Sequence, residues 1–317
     1  VANFSKHEFK GTDARKFLDH VMAGKLPKPG RISLSPMLSY RGKLCGDLTV
    51  ACFDENEFMV FGSGAAQEMH RRWFESHLDK FDVNYKNRSD EFHGISIAGP
   101  NSRKVLEKIV RDNVTNEKFK FRDSRRMFVG GVPAIINRIS FTGELGYEIY
   151  VAPHYQIKLY EELMEAGKEF NIKPFGGRAL MSMRLEKNWG AWTLDYRPDF
   201  TAKETGLDMF INWDKDFIGK EKAKSENSSN KLTPLIVETN DIDVTSNEAV
   251  MNGDQSIGYV TSGGFAHFVN KSVAFTFIDQ NKIKSENKIQ IEINGDLFNC
   301  SVIKEPLYDP SGQKMRS

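Results

Sequence analysis

Apolar and polar positions alternate along residues 138–151, RISFTGELGYEIYV, with one interruption at TGELG. Glycines at 143 and 146 can adopt backbone angles that other residues avoid, so the segment predicts a hairpin turning at 142–146. Successive side chains of a strand project to opposite faces. That places Tyr147, Ile149 and Val151 on one side and Glu148 and Tyr150 on the other. Glu144 falls in the turn and is expected to be solvated. Glu148 falls inside the strand, where an acid needs water or a partner, and from this window alone it reads as solvent-facing. The same alternation runs through KLCGDLTVACF at 43–53. It assigns Leu44, Leu48, Val50 and Cys52 to one face and Cys45, Asp47, Thr49 and Ala51 to the other.

Elsewhere the spacing shifts to three and four residues. EFKGTDARKFLDHVM (8–22) and SIAGPNSRKVLEKIV (96–110) each read as strand, glycine, helix, with stripes Phe17, Leu18, Val21 and Val105, Leu106, Ile109. Two copies about 90 residues apart predict a duplicated α+β unit rather than a solenoid. Neither copy has the glycine pattern of a phosphate-binding turn. Between them, 43–64 predicts two strands joined at Asp54–Glu57. A helix follows at about 65–79 with Met69, Trp73 and Phe74 as its stripe. Further helices are expected over 154–170 and 175–190, the second turning Leu180, Met183 and Leu185 inward.

KAKSENSSNK (222–231) is polar, serine-rich and free of large apolar residues, so it reads as a linker. Beyond it the pattern is all-β, with five or six short strands that suggest a small barrel or sandwich. The expected organisation is α+β: a first domain over 1–221, the linker, and a β-domain over 232–317.

A chain of 317 residues is too long for one small core. Its 44 basic and 43 acidic residues leave a charge of +1, which argues against a nucleic-acid partner held by bulk charge. Basic stretches such as FRDSRRMF (121–128) are interrupted by acids and read as solvated faces. Cys45, Cys52 and Cys300 are too few and scattered for a disulfide framework, which suits a reducing compartment. No Cys/His spacing resembles a zinc site, so no metal is expected. No run of about 18 apolar residues and no signal sequence is present, so no membrane partner is expected either. The expected location is cytoplasmic, or the mitochondrial matrix in a eukaryote. The sequence opens on VANFSKHEFKG without an initiator methionine and reads as a processed chain or a segment of something longer.

Asp47 is the first candidate for chemistry. An aspartate in mid-strand opposes strand propensity, and the preceding Gly46 can mark a bulge or the close approach of a ligand. Asp47 and Glu148 are then two carboxylates on the polar faces of apolar strands. Paired acids serve glycoside hydrolysis, but their separation is not readable from sequence, and each alone reads as structural or solvated.

FTGELGYEIYV, RALMSMRLEKNWGAW, TGLDMFINWDKDFIGK and IGYVTSGGF together resemble the glycine-cleavage T-protein (aminomethyltransferase) family. The nearest likeness is the branch fused to FAD-dependent dimethylglycine and sarcosine dehydrogenases. The resemblance runs from about residue 4 to 309 and takes in GDLTV, HRRWFE, IAGPNSRKVL and EPLYDP in order. It implies a tetrahydrofolate-binding domain of duplicated ferredoxin-like units followed by a small β-barrel. It also implies that Asp47 lies near the reactive nitrogens of the folate and that Glu148 accepts from the pteridine ring. A pterin's amino group and ring N–H form two adjacent donors that one carboxylate can take. On that footing Glu148 becomes a ligand, with Leu48, Thr49, Phe141, Ile149, Tyr150 and Met209 lining the site.

Several positions depart from the family pattern. Phe141 and Met209 stand where relatives carry tyrosine, Gly46 replaces the first of two aspartates, and Leu180 replaces an arginine. Arg184 and Glu186 are expected to pair inside the fold. The implied activity is capture, as 5,10-methylenetetrahydrofolate, of the carbon released when dimethylglycine or sarcosine is oxidised to an iminium ion or formaldehyde, with Asp47 catalytic. Alternatives are a stand-alone aminomethyltransferase and a folate-binding protein without activity, although KDFIGKEKA lacks the cysteine of that last branch. With no G-x-G-x-x-G after a strand, FAD is expected only in an absent N-terminal domain or a partner subunit.

Overall fold

The computed structural model describes residues 2–239 and 241–317. The first half is the same unit built twice. Strand β1 (Phe4–Lys10), helix α1 (Ala14–Val21), strands β2 (Arg31–Leu38), β3 (Leu44–Asp54) and β4 (Glu57–Ser63), helix α2 (Gln67–Glu75) and strand β5 (Asn84–Asn87) form the first copy. The second runs β6 (His93–Ala98), α3 (Ser102–Ile109), β7 (Ser124–Val129), β8 (Val132–Asn137), β9 (Gly146–Val151), α4 (Gln156–Gly167). Their sheets are antiparallel, ordered β2-β3-β4-β1-β5 and β7-β8-β9-β6. Strand for strand the order is identical, except that among the described residues the second copy has no counterpart of β5. The duplication expected from the two strand–glycine–helix segments is therefore topological.

Each sheet carries its helices on one face. Phe9, Phe17, Leu18, Leu48, Val50, Phe58 and Phe74 form the first helix–sheet core, and Val105, Leu106, Val129, Ile136, Tyr147, Ile149 and Leu159 form the second. The opposite faces meet each other through Ala51, Met59, Phe61, Ile135 and Tyr150. The sheets are also joined at both margins. The amide of Ile32 donates to Arg122 O and that of Ser124 to Gly30 O, at 2.8 and 2.9 Å, while the amide of Ala2 donates to Gly94 O at 2.9 Å. Arg126 grips both carboxylate oxygens of Glu57 across the interface, at 2.6 and 3.0 Å.

Helix α5 (Gly177–Glu186) and the short helices α6 (Ala202–Thr205) and α7 (Lys220–Lys224) lead into a closed six-stranded barrel. Its strands are β10 (Asn230–Val237), β11 (Ala249–Asn252), β12 (Gln255–Ala266), β13 (Lys271–Asp279), β14 (Ile289–Ile293) and β15 (Asp296–Val302). The expected linker is not an open tether: α7 runs into it and β10 begins inside it. Nor do residues after Val302 stay with the barrel. The Lys187 ammonium donates to the Asp309 carboxylate at 3.2 Å, and the Arg103 and Arg138 guanidiniums each donate to Ser317 O at 2.6 Å. The closing helix α8 (Gln313–Arg316) thus lies against the first domain.

The buried Arg184 and Asp195 pair at 2.5 Å and lock α5 to the barrel. Asp195 Oδ1 accepts from Thr261 Oγ1 at 2.5 Å and from Ser262 Oγ at 2.7 Å, both on β12. Glu186 accepts from the Phe268 amide at 2.5 Å. Both expected pairings of this helix are therefore internal. Leu185 is buried, while Leu180 and Met183 are only half-buried.

Candidate functional site

The faces expected for the 138–151 segment hold. Tyr147, Ile149 and Val151 lie in the helix-side core, and Tyr150 and Glu148 face the other sheet. The hairpin is longer than expected, because β8 ends at Asn137 and the connection spans 138–145. Glu144 in that connection is half-buried and takes the Tyr308 hydroxyl, so it ties the C-terminal segment down rather than facing solvent alone.

Glu148 is 9% exposed. Its Oε2 accepts from Tyr150 Oη at 2.7 Å. Burial pushes its carboxyl up to about 7, against the opposing pull of that hydrogen bond and of Lys6. Lys6 on β1 is itself buried, its ammonium 5.7 Å from the centre of the Tyr150 ring. Burial lowers its pKa, and Asp90 and Glu148 partly offset that. The Tyr150 ring stacks on Phe61 with centroids 4.7 Å apart, and Phe61 is the ladder partner of both Lys6 and Thr49.

Asp47 lies two residues from Thr49 on β3, one strand further across the first sheet. It keeps contact with solvent, yet burial pushes its carboxyl up to about 7, opposed only by its own backbone amide. Tyr196, in the loop after α5, lies within electrostatic reach: burial and then the Asp47 charge raise its phenol above the usual value. Its oxygen accepts from the Gly190 amide at 3.1 Å.

Alternation fails at the start of β3. A bulge opposite Met37–Leu38 makes Cys45 the extra residue, so Cys45 packs toward the helix-side core with Cys52 instead of sharing a face with Asp47. Leu44 joins Tyr196 and Phe200 in the cluster beneath the barrel. Leu48 and Ile149 turn their side chains into the two helix-side cores, leaving only their backbones toward the interface. Phe141 is half-buried in the long connection. Met209 is 78% exposed, in a single turn Leu207–Phe210, and is not packed into the inter-sheet wall. Open surface hollows beside Phe217 and beside Phe121 contain none of these residues.

Asn137, which sequence reasoning missed, is the ladder partner of Glu148 and shares its face. Its Oδ1 accepts from Ser124 Oγ at 2.7 Å, while its buried Nδ2 has no partner. A polar residue at an inward position of the apolar run VPAII was the available signal. The interface therefore offers acceptor oxygens at Glu148 beside a free donor at Asn137. That combination fits a ligand presenting adjacent donors and an acceptor on one edge.

The family model for the GCVT N-terminal domain matches residues 1–215, and that for the glycine cleavage T-protein C-terminal barrel domain matches 230–309. The chain belongs to the glycine-cleavage T-protein family. The domain limits fall on either side of α7, in keeping with a first domain followed by a barrel. Human mitochondrial dimethylglycine dehydrogenase is 34% identical over 97% of this chain, which spans 36% of that relative's length. The aminomethyltransferase of Thermoanaerobacter pseudethanolicus is 28% identical over 99% of the chain and 86% of its own length. A crystal structure of the glycine cleavage system aminomethyltransferase T from Bartonella henselae superposes with a TM-score of 0.88 at 20% identity, covering 98% of this chain and 85% of that one. The family's barrel is thus present here in closed form, and no helix among the described residues is long and apolar enough to cross a membrane.

Proposed function

We propose that this T-protein-family chain binds tetrahydrofolate between its two sheets and accepts onto it the one-carbon unit released by oxidation of an N-methylated amino acid such as dimethylglycine or sarcosine. The observation that carries this reading is Glu148: a buried carboxyl, hydrogen-bonded by Tyr150 and facing the first sheet. A reduced pterin has two neighbouring N–H donors that would stabilise the ionised carboxylate, and bidentate charge-assisted bonds are the strong ones. The unpartnered Asn137 Nδ2 suits the carbonyl acceptor beside those donors. Tetrahydrofolate supplies the nucleophilic nitrogen to which the carbon is added.

Asp47 is the group placed to manage charge and protons at that nitrogen. With its carboxyl near 7, it can hold a proton or release one at neutral pH. In its ionised form it stabilises positive charge developing opposite it, an effect worth a few kcal/mol where water is excluded. Thr49 on the first sheet and Tyr150 on the second line the two facing walls. The methylated amine would be oxidised at a flavin held by another domain or subunit.

A second reading is a stand-alone aminomethyltransferase, favoured by the match along 86% of the Thermoanaerobacter relative. Gly46 and Leu180, in place of the family's aspartate and arginine, weigh against it. Calorimetric titration with tetrahydrofolate tests the shared core of both readings. The wild type should bind and Glu148→Ala should lose at least tenfold in affinity; equal affinities would remove the assignment. Supplying an aminomethyl-lipoyl carrier or an N-methylated amino acid with its oxidase then separates the two.

A further inference from the structure

We infer that His70 is a positioning residue for Asp47, holding the bulge beside it along the edge of β3 that β4 does not reach. This rests on the reading of Asp47 given above. The ladder between β3 and β4 begins at Thr49–Phe61 and does not extend to the Asp47 end of β3. On the other side β2 pairs Gly46 with Met37 and Leu48 with Ser35, but the register slips between Met37 and Leu38 and leaves Cys45 as the extra residue. The edge of Cys45–Asp47 that faces away from β2 is thus left without a strand partner.

His70 fills the gap from α2. It is 1% exposed, and its Nε2 lies 3.0 Å from Cys45 O. A carbonyl can only accept, so Nε2 carries the hydrogen and the ring stands in for a missing strand partner. Its fit is steric as well as polar. A Cβ on Gly46 would come within 2.9 Å of His70 Nε2, and one on Gly62 within 2.8 Å of His70 Cε1. One glycine from each strand makes room for the ring. A side chain at Gly46 would thus collide with the ring that holds the preceding residue, Cys45.

The test is a double-mutant cycle with the N-methylated donor, its oxidase and tetrahydrofolate. His70→Leu keeps bulk without the donor, His70→Gln restores an N–H, and Gly46→Ala displaces the ring. His70→Leu and Gly46→Ala should lower kcat by about 10- to 100-fold, as misplacement of a reacting group by about 1 Å does, with tetrahydrofolate affinity within about twofold of wild type. His70→Gln should recover most of the rate. In an Asp47→Asn background, His70→Leu should cost little more, because both changes act through one group. Undiminished kcat in Gly46→Ala, or full additivity of His70→Leu with Asp47→Asn, overturns the inference. If His70→Leu does not fold, the Gly46→Ala rate and affinity decide alone. Failure of wild-type folate binding, or a neutral Asp47→Asn, instead removes the underlying functional reading.

Discussion

The Tyr150 hydroxyl donates to Glu148 Oε2 across 2.7 Å, two residues away on the same face of the same strand. The bond joins a ring stacked on the first sheet to a carboxyl on the second, so one residue both packs between the sheets and fixes the acid. Tyr150→Phe should keep the stacking and lose the bond. Because that bond favours the ionised carboxyl, its loss should weaken tetrahydrofolate binding by about 1 kcal/mol, or roughly fivefold, at pH 7. Calorimetry measures this directly, and an unchanged affinity would show that the bond has no part in recognition.

Folate affinity should depend on pH through Glu148. The free protein's carboxyl titrates near 7, and only its ionised form accepts two N–H donors. Affinity should therefore be full above pH 8 and fall about tenfold per unit below pH 7. Glu148→Gln should flatten the profile while lowering affinity throughout.

The same carboxyl should destabilise the ligand-free protein at high pH. Its folded pKa lies above the unfolded value of 4.5, so the folded state binds the proton more tightly. Stability then falls as pH rises from 4.5 to 7 and levels off above. The full effect is on the order of 3 kcal/mol, from the size of the shift. Glu148→Gln keeps an acceptor for Tyr150 and carries no charge. It should raise the melting temperature at pH 8 and not at pH 4, as read by calorimetric melts. A lower melting temperature at pH 8 would contradict the assignment of a strained acid.

Arg184 and Asp195 form a buried pair whose removal from one side leaves a naked charge. Arg184→Met should cost about 3–5 kcal/mol in stability, more than Arg184→Met combined with Asp195→Leu. Denaturant melts of the two variants compare them. Equal losses would mean that the Asp195 charge is already satisfied by Thr261, Ser262 and the Ala191 amide alone.

Much of this was readable along the chain. Period-two alternation gave the correct faces for Glu148, Tyr150, Thr49 and Ala51, because a regular strand has no other choice. The repeat was visible since α1 and α3 need the same apolar stripe to cover equivalent sheets. Alternation failed at Cys45, where a bulge inserts one residue, a defect set by what packs beside the strand. The strand β11 was missed because AVMN is too short to show a period. Lys6, His70 and Tyr196 were invisible for a common reason. Each reaches the site from a distant segment, and a single charged or aromatic residue carries no mark of the neighbour it will meet. The C-terminal segment reads as barrel for the same reason, since its return depends on Arg103, Arg138, Glu144 and Lys187 waiting elsewhere.

The two copies of the repeat are completed by one another. The stretch Gly30–Ile32 closes the margin of the second sheet at Arg122 and Ser124, and Ala2 closes the other margin against Gly94. Neither copy could be excised without baring raw strand edges and the apolar face around Phe61 and Tyr150. What began as two modules should consequently melt as one cooperative body, and gene fragments encoding a single copy should yield sticky, unfolded polypeptide rather than half a protein.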